Sequence, residues 1–143
     1  MIVTGDVANI IYKDCQAFGI PDVRKKPNIV PDDDKAGTGL TAERIVIIAK
    51  QQETGTYWKK GFVEVNICVP DNKSGTAKTT RLGALERQAA QLFKEGSEVV
   101  GSYDGTYYMY SISSINGCEE DKSLKCHFVN VRLLFEVLNT IEL

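Results

Sequence analysis

The sequence predicts an α+β domain: an antiparallel (mixed) β-sheet of about five strands with two helices packed on one face. Two alternating runs and two amphipathic stripes carry that expectation. In the run from Lys125 to Leu138, Val129, Val131, Leu133, Phe135 and Val137 fall on one side of the pleat, while Asn130, Arg132 and Glu136 fall on the other. Gly61 to Val69 repeats the pattern, with Val63, Val65, Ile67 and Val69 opposite Phe62, Glu64, Asn66 and Cys68. Such alternation belongs to a sheet packed on one face only, so an amphipathic layer must cover its dry side.

In chain order, Thr4 to Phe18 reads as the first helix. Thr4 is placed to cap it, Asp6 suits the positive end of the dipole, and Val7, Ile10, Ile11 and Phe18 form the apolar stripe. Gly19 stops it and Pro21 follows. Residues 20–42 hold three prolines, two glycines, the basic run Arg24, Lys25, Lys26 and the acidic run Asp32, Asp33, Asp34, with no period. This segment is expected to be a long arm or loop, and loops of that length in a compact domain usually serve a contact. Glu43 to Lys50 is apolar on both faces, which places it inside the sheet. Gln51 to Lys60 is expected as a hairpin loop carrying Tyr57 and the sole tryptophan, Trp58.

Pro70 to Thr79 is a polar loop into the second helix, about Thr80 to Glu95, whose stripe is Leu82, Leu85, Ala89, Leu92 and Phe93 and whose terminator is Gly96. Asp104-Gly105 is a two-residue hairpin signal between Glu98–Tyr103 and Thr106–Ile115, because both central residues of the favoured turn need positive φ. An acidic turn, Gly117 to Ser123, leads into the closing strand.

A chain of 143 residues has the size of one domain, 1–143, able to bury an ordinary core without metal or disulfide. Its composition, 43% hydrophobic and 25% charged, is globular, and no run of it reads as a membrane span or secretory signal. The expected location is the cytoplasm. A net charge of −2 gives no global attraction to nucleic acid or to anionic membrane. The four cysteines, Cys15, Cys68, Cys118 and Cys126, are expected as free and mostly buried thiols, with a bond between Cys118 and Cys126 across their turn as the alternative.

Little chemistry is legible. Ser74 to Thr80 lies where a phosphate loop would lie, but Asn72 and Ala77 stand where its glycines are needed. Asp32, Asp34, Gly37 and Glu43 match positions of a calcium loop, yet Ala36 replaces a ligand and Pro27 and Pro31 forbid the incoming helix, so a solvated acidic loop is preferred. The one histidine, His127, excludes most histidine metal sites, and its neighbour Cys126 must point to the opposite face. Tyr103, Tyr107, Tyr108 and Tyr110 read as cross-strand packing rather than a stacking platform, with Tyr108 and Tyr110 on one face and Tyr107 on the other. No catalytic residue, cofactor site or metal site is therefore expected. Tyr57, Trp58 and Lys59 are candidate interface residues, since loop aromatics are enriched in hot spots, and a tryptophan folded back on the core is the alternative. Arg24, Lys25 and Lys26 complete the candidate interface.

The order of these elements resembles the tail-terminator and tail-completion proteins of long-tailed bacteriophages and prophages, including the neck proteins that join tail to head. The likeness lies in Gly61-Phe62-Val63-Glu64-Val65-Asn66-Ile67-Cys68-Val69-Pro70-Asp71, the helix around Arg81-Leu82-Gly83-Ala84-Leu85-Glu86, and the strand Phe128-Val129-Asn130-Val131-Arg132-Leu133-Leu134-Phe135. It implies an α+β subunit of a homo-oligomeric ring, commonly hexameric, that caps the tail tube and docks to the head connector without catalysis or cofactor. Its partners would be itself, tail-tube protein and connector protein, with no membrane and no sequence-specific nucleic acid, and its place the host cytoplasm and the virion. The Pro-rich arm and the acidic turn at Glu119, Glu120 and Asp121 depart from that pattern. A non-viral protein-binding module or adaptor is the competing reading, and a small enzyme the third.

Overall fold

Alternating residues that hide every second side chain specify a register, and two long strands realise it. The computed structural model describes residues 1–26, 39–51, 55 and 57–138. Its strands are β1 (Val23–Lys25), β2 (Arg44–Gln51), β3 (Lys60–Pro70), β4 (Val99–Tyr103), β5 (Thr106–Asp121) and β6 (Cys126–Val137), and its helices are α1 (Thr4–Cys15) and α2 (Thr79–Leu92). The strands form one mixed, curled sheet in the order β1-β2-β3-β6-β5-β4. β1 pairs with β2 in parallel and every other pairing is antiparallel.

At the centre, β3 and β6 pair from Lys60↔Glu136 to Pro70↔Cys126. Gly61, Val63, Val65 and Ile67 thereby stand beside Phe135, Leu133, Val131 and Val129 on one face, all buried. α1 and α2 supply Val7, Ile10, Ile11, Leu82, Leu85 and Ala89 to the same cluster. α+β is thus the class observed. The sheet has six strands where about five are predicted, because Val23–Lys25, inside the expected arm, adds a short strand against Ile45–Ile47. Residues 27–38 of that arm lie outside the described residues, as do residues 52–54 and 56 of the predicted 51–60 loop and the last five residues.

Local differences have local causes. Thr4 lies inside the first turn of α1, so the cap comes from Asp6, whose Oδ2 accepts a hydrogen bond from the Val3 N–H at 3.0 Å. α1 ends at Cys15 and a 3₁₀ turn, Gln16–Phe18, carries Phe18 into the core. α2 stops at Leu92, short of Gly96, because Lys94 already takes a left-handed conformation (φ 51°). β5 runs six residues past its predicted end at Ile115, to Asp121, with register shifts at Ile112/Ser114 and Asn116/Glu119 that mark bulges bending the strand.

Trp58 is core. It is wholly buried, its Nε1 donates to the Phe135 carbonyl at 2.9 Å, and its ring meets Phe135 edge-on. Its backbone N–H also donates to the Ile2 carbonyl at 2.7 Å, which ties the chain start to the approach of β3.

Leu85, fully buried where α2 meets the sheet, tests the packing of the helix. Leu85→Ala should lower the free energy of unfolding by about 2–5 kcal/mol, read from urea denaturation.

Candidate functional site

The sheet ends in two unlike edges. On β1, the Asp22 carboxylate accepts hydrogen bonds from Arg24 Nε at 2.7 Å and Arg44 Nε at 3.0 Å, so the edge is fastened to β2 by charge. Burial works to raise the Asp22 pKa, but the two arginines outweigh it and hold the carboxyl below its ordinary value. Lys25 reaches back to α1, its Nζ donating to Asn9 Oδ1 at 2.6 Å and lying 5.1 Å from the centroid of the Tyr12 ring. Lys26 is exposed.

On β4, by contrast, the strand itself is uncharged, Val99-Val100-Gly101-Ser102-Tyr103, and its charges sit at its ends as exposed Glu98 and Asp104. Asp104 (φ 50°) and Gly105 (φ 78°) make the two-residue turn to β5. Gly101 carries no side chain because the Tyr108 ring lies over it where a Cβ would stand. Tyr108 and Tyr110 stack with Phe135 on the helix side, as their predicted shared face requires. Burial, then the hydrogen bond to Asp14 Oδ2 at 2.5 Å, pushes the Tyr110 phenol far up, which keeps it a neutral donor that links β5 to α1. On the open face, Val100 is 67% exposed and Tyr107 61% exposed.

A third group lies at the far end of β3 and β6. His127 Nδ1 is 2.6 Å from Asp71 Oδ1, and its Nε2 is 4.0 Å from Glu120 Oε2. Beside them is an open groove of about 520 Å³ lined in part by Lys73, Lys122 and Lys125. The serine in that groove, Ser74, bonds to Thr76 at 3.0 Å rather than to the imidazole. The pair acts as a brace between the loop after β3 and the start of β6. A second groove, about 540 Å³, opens at the start of α2 against Lys78 and Arg81. Arg81 is engaged there by a two-pronged pair with Glu43 at 2.6 and 2.8 Å, and that hydrogen bond holds the Glu43 carboxyl below its ordinary value. Glu43 is therefore committed to α2, while the other positions of the calcium-like pattern, 32, 34 and 37, lie outside the described residues.

The cysteines are free. Cys118 is exposed and out of register with Cys126, which pairs with Asp121 instead. A hydrogen bond with Cys126, then burial, drives the Cys68 thiol far up, and burial does the same to Cys15, so both are packing groups rather than nucleophiles.

Of the six candidate interface residues, Arg24, Lys25 and Lys26 share the β1 edge, and Tyr57, Trp58 and Lys59 share the approach to β3. Trp58 leaves the surface set, since its side chain is spent inside the chain. Tyr57, 46% exposed, and Lys59 stay at the surface. Sequence reasoning did not single out the β4 edge, although its signal was present: five uncharged residues between two acids. The Asp71–His127 pair, 56 residues apart in sequence, left no local sign.

No protein-family model matches this chain, and no curated protein matches it. A solved structure without a functional name is similar to it, with a TM-score of 0.53 over 95% of this chain and 94% of that chain at 13% identity, which shows the fold alone. No described helix is long and apolar enough to cross a membrane.

Two outcomes follow from this geometry. Trp58→Ala should cost about 3–5 kcal/mol of fold stability, measured by denaturation, because it opens a cavity and removes the indole hydrogen bond to the Phe135 carbonyl. Asp22 and Glu43 have depressed folded-state pKa values, so they stabilise the fold above their ordinary values of 3.8 and 4.5 and lose that contribution as pH falls below them. Asp22→Asn and Glu43→Gln should each be less stable than the parent near neutral pH, with the gap closing through that acid range.

Proposed function

We propose that this chain is a structural subunit that closes into a ring at the end of a bacteriophage or prophage tail tube and docks there to the head connector. The observation that carries this reading is the pair of unlike sheet edges, one basic and fastened by arginines, the other uncharged between two acids. Identical edges favour two-fold pairing, whereas unlike ones make head-to-tail contacts, which close into a ring when the rotation permits. The element order of the tail-completion proteins supports the same role. Tyr57 and Lys59, at the surface beside the buried Trp58, are the contact residues assigned to the tube, while Lys26 belongs to the basic edge between subunits.

Native mass spectrometry of the purified chain, alone and mixed with tail-tube protein, tests the reading. A single closed multiple of the 15.8 kDa chain, six copies by the family resemblance, is the expected species in at least the mixed sample. Monomer in both samples overturns it, and a one-to-one complex with an unrelated protein supports the adaptor instead. Tyr57→Ala should reduce binding to the tube by more than it lowers the thermal melt of the monomer, because nearly half of this side chain is exposed in the single chain.

A further inference from the structure

We infer that the β4 edge of one copy pairs in parallel with the β1 edge of the next, so that the sheet runs on unbroken from subunit to subunit. This rests on the ring reading above and names its joint. Four independent features of the fold agree on it.

The first is strand sense. Following the pairings across the sheet, β1, β2, β6 and β4 run one way and β3 and β5 the other. A rotation about an axis along the strands preserves that sense, so the two edges meet in parallel.

The second is the direction of the backbone groups. Tyr103 and Thr106 flank the two-residue turn as a hydrogen-bonded pair, and alternation then turns the N–H and C=O of Val100 and Ser102 away from β5. On β1, the Asp22 carbonyl accepts from Ile45 N–H and the Lys26 N–H donates to the Ile47 carbonyl, so the groups of Val23 and Lys25 turn away from β2. Setting Ser102 beside Arg24 lets Ser102 donate to the Val23 carbonyl and accept from the Lys25 N–H, while the Val100 carbonyl accepts from the Val23 N–H.

The third is the face. In that register Gly101 and Tyr103, on the helix side, stand beside Val23 and Lys25, which pair with core-facing Ile45 and Ile47. The helices of neighbouring copies then share one side of the sheet.

The fourth is charge. The same register puts Asp104 beside Lys26, and carries Glu98 past Asp22, whose charge is already engaged by Arg24 and Arg44. Two β4 edges pairing antiparallel about Gly101 would instead set Glu98 against Asp104 at both ends, and like charges directly opposite repel. The occupant of the β4 edge is therefore the β1 edge of a second copy. β4 also lacks the lysine, proline or bulge with which proteins usually blunt an open edge.

Hydrogen–deuterium exchange on the assembled wild-type chain, against the monomer, should show new protection at the amides of Ser102, Val23 and Lys25. Ser102→Pro removes an outward N–H without touching the β5 ladder, and should leave monomer where the parent forms a ring, with an unchanged monomer melt. Asp104→Asn and Lys26→Gln should each weaken association by up to about fivefold per contact, and the double variant by no more than one of them. A ring that forms with no protection at these amides, or that forms equally well from well-folded Ser102→Pro, overturns the edge joint and leaves the ring reading standing. Absence of any ring from the wild-type chain, alone or with tube protein, overturns both. Should Ser102→Pro fail to fold, the exchange pattern of the wild type decides.

Discussion

Everything in this fold hangs on the register of β3 against β6. With side chains alternating at a period of two, a slip of one residue would turn Val63, Val65 and Ile67 into water and Glu64 and Asn66 into the core. The correct register is held from the polar side as well. On the open face Asn130 Nδ2 donates to Asn66 Oδ1 at 2.6 Å, and the Arg132 guanidinium lies 3.7 Å over the Phe62 ring. Neither contact survives a shift. The central pair thereby fixes where β2 and β5 can dock, and through them where both edges end.

Around this frame a few buried or part-buried polar ties decide how the outer elements sit. Tyr110 to Asp14 joins β5 to α1, Trp58 to Phe135 joins the approach of β3 to β6, and Arg44 to Asp22 joins the chain before β1 to β2. Each bonds groups far apart in sequence, and each would leave a desolvated donor or acceptor if one partner were lost. They supply direction where hydrophobic burial supplies only attraction. α2 uses a different device: Glu86 lies against Gly117 at the second bulge of β5, where a side chain on that residue would have to push the Glu86 carboxylate aside. The bulge and the glycine together let the helix approach a strand that has begun to turn away.

What was legible in the sequence follows from this division. The long strands, the two helical stripes and the Asp104-Gly105 turn are written locally, in periods of two and 3.6 and in one dipeptide, and their positions hold to within a few residues except at the far end of β5, where bulges break the period. β1 was hidden because three residues are too few to show a period, and its neighbours, prolines and a basic run, read as an arm. Its stability comes from β2 and from Arg44, which are distant in sequence. Trp58 was ambiguous for a related reason: an aromatic beside lysines looks the same whether it faces outward or inward, and only the Phe135 carbonyl, 77 residues away, settles the direction. The polar tie at His127 and Asp71 was invisible on the same ground.

An open edge on a monomer is a hazard unless something else meets it, and the two ends of this sheet treat that hazard differently. β1 is short, carries two basic residues with a third just after it, and is knotted to its neighbour through a carboxylate shared by two arginines, all devices that discourage indiscriminate pairing. β4 has none of these in its interior, and a glycine in it is tolerated only because Tyr108 covers the gap from the next strand. The bare strand would accept almost any extended partner if backbone groups alone mattered. Selection must then come from its ends, where Glu98 and Asp104 repel another β4 while Asp104 meets Lys26 of a basic strand running the same way. That is how a surface with few specific side chains can still be choosy: backbone geometry supplies the attraction common to all strands, and two flanking charges reject the wrong ones.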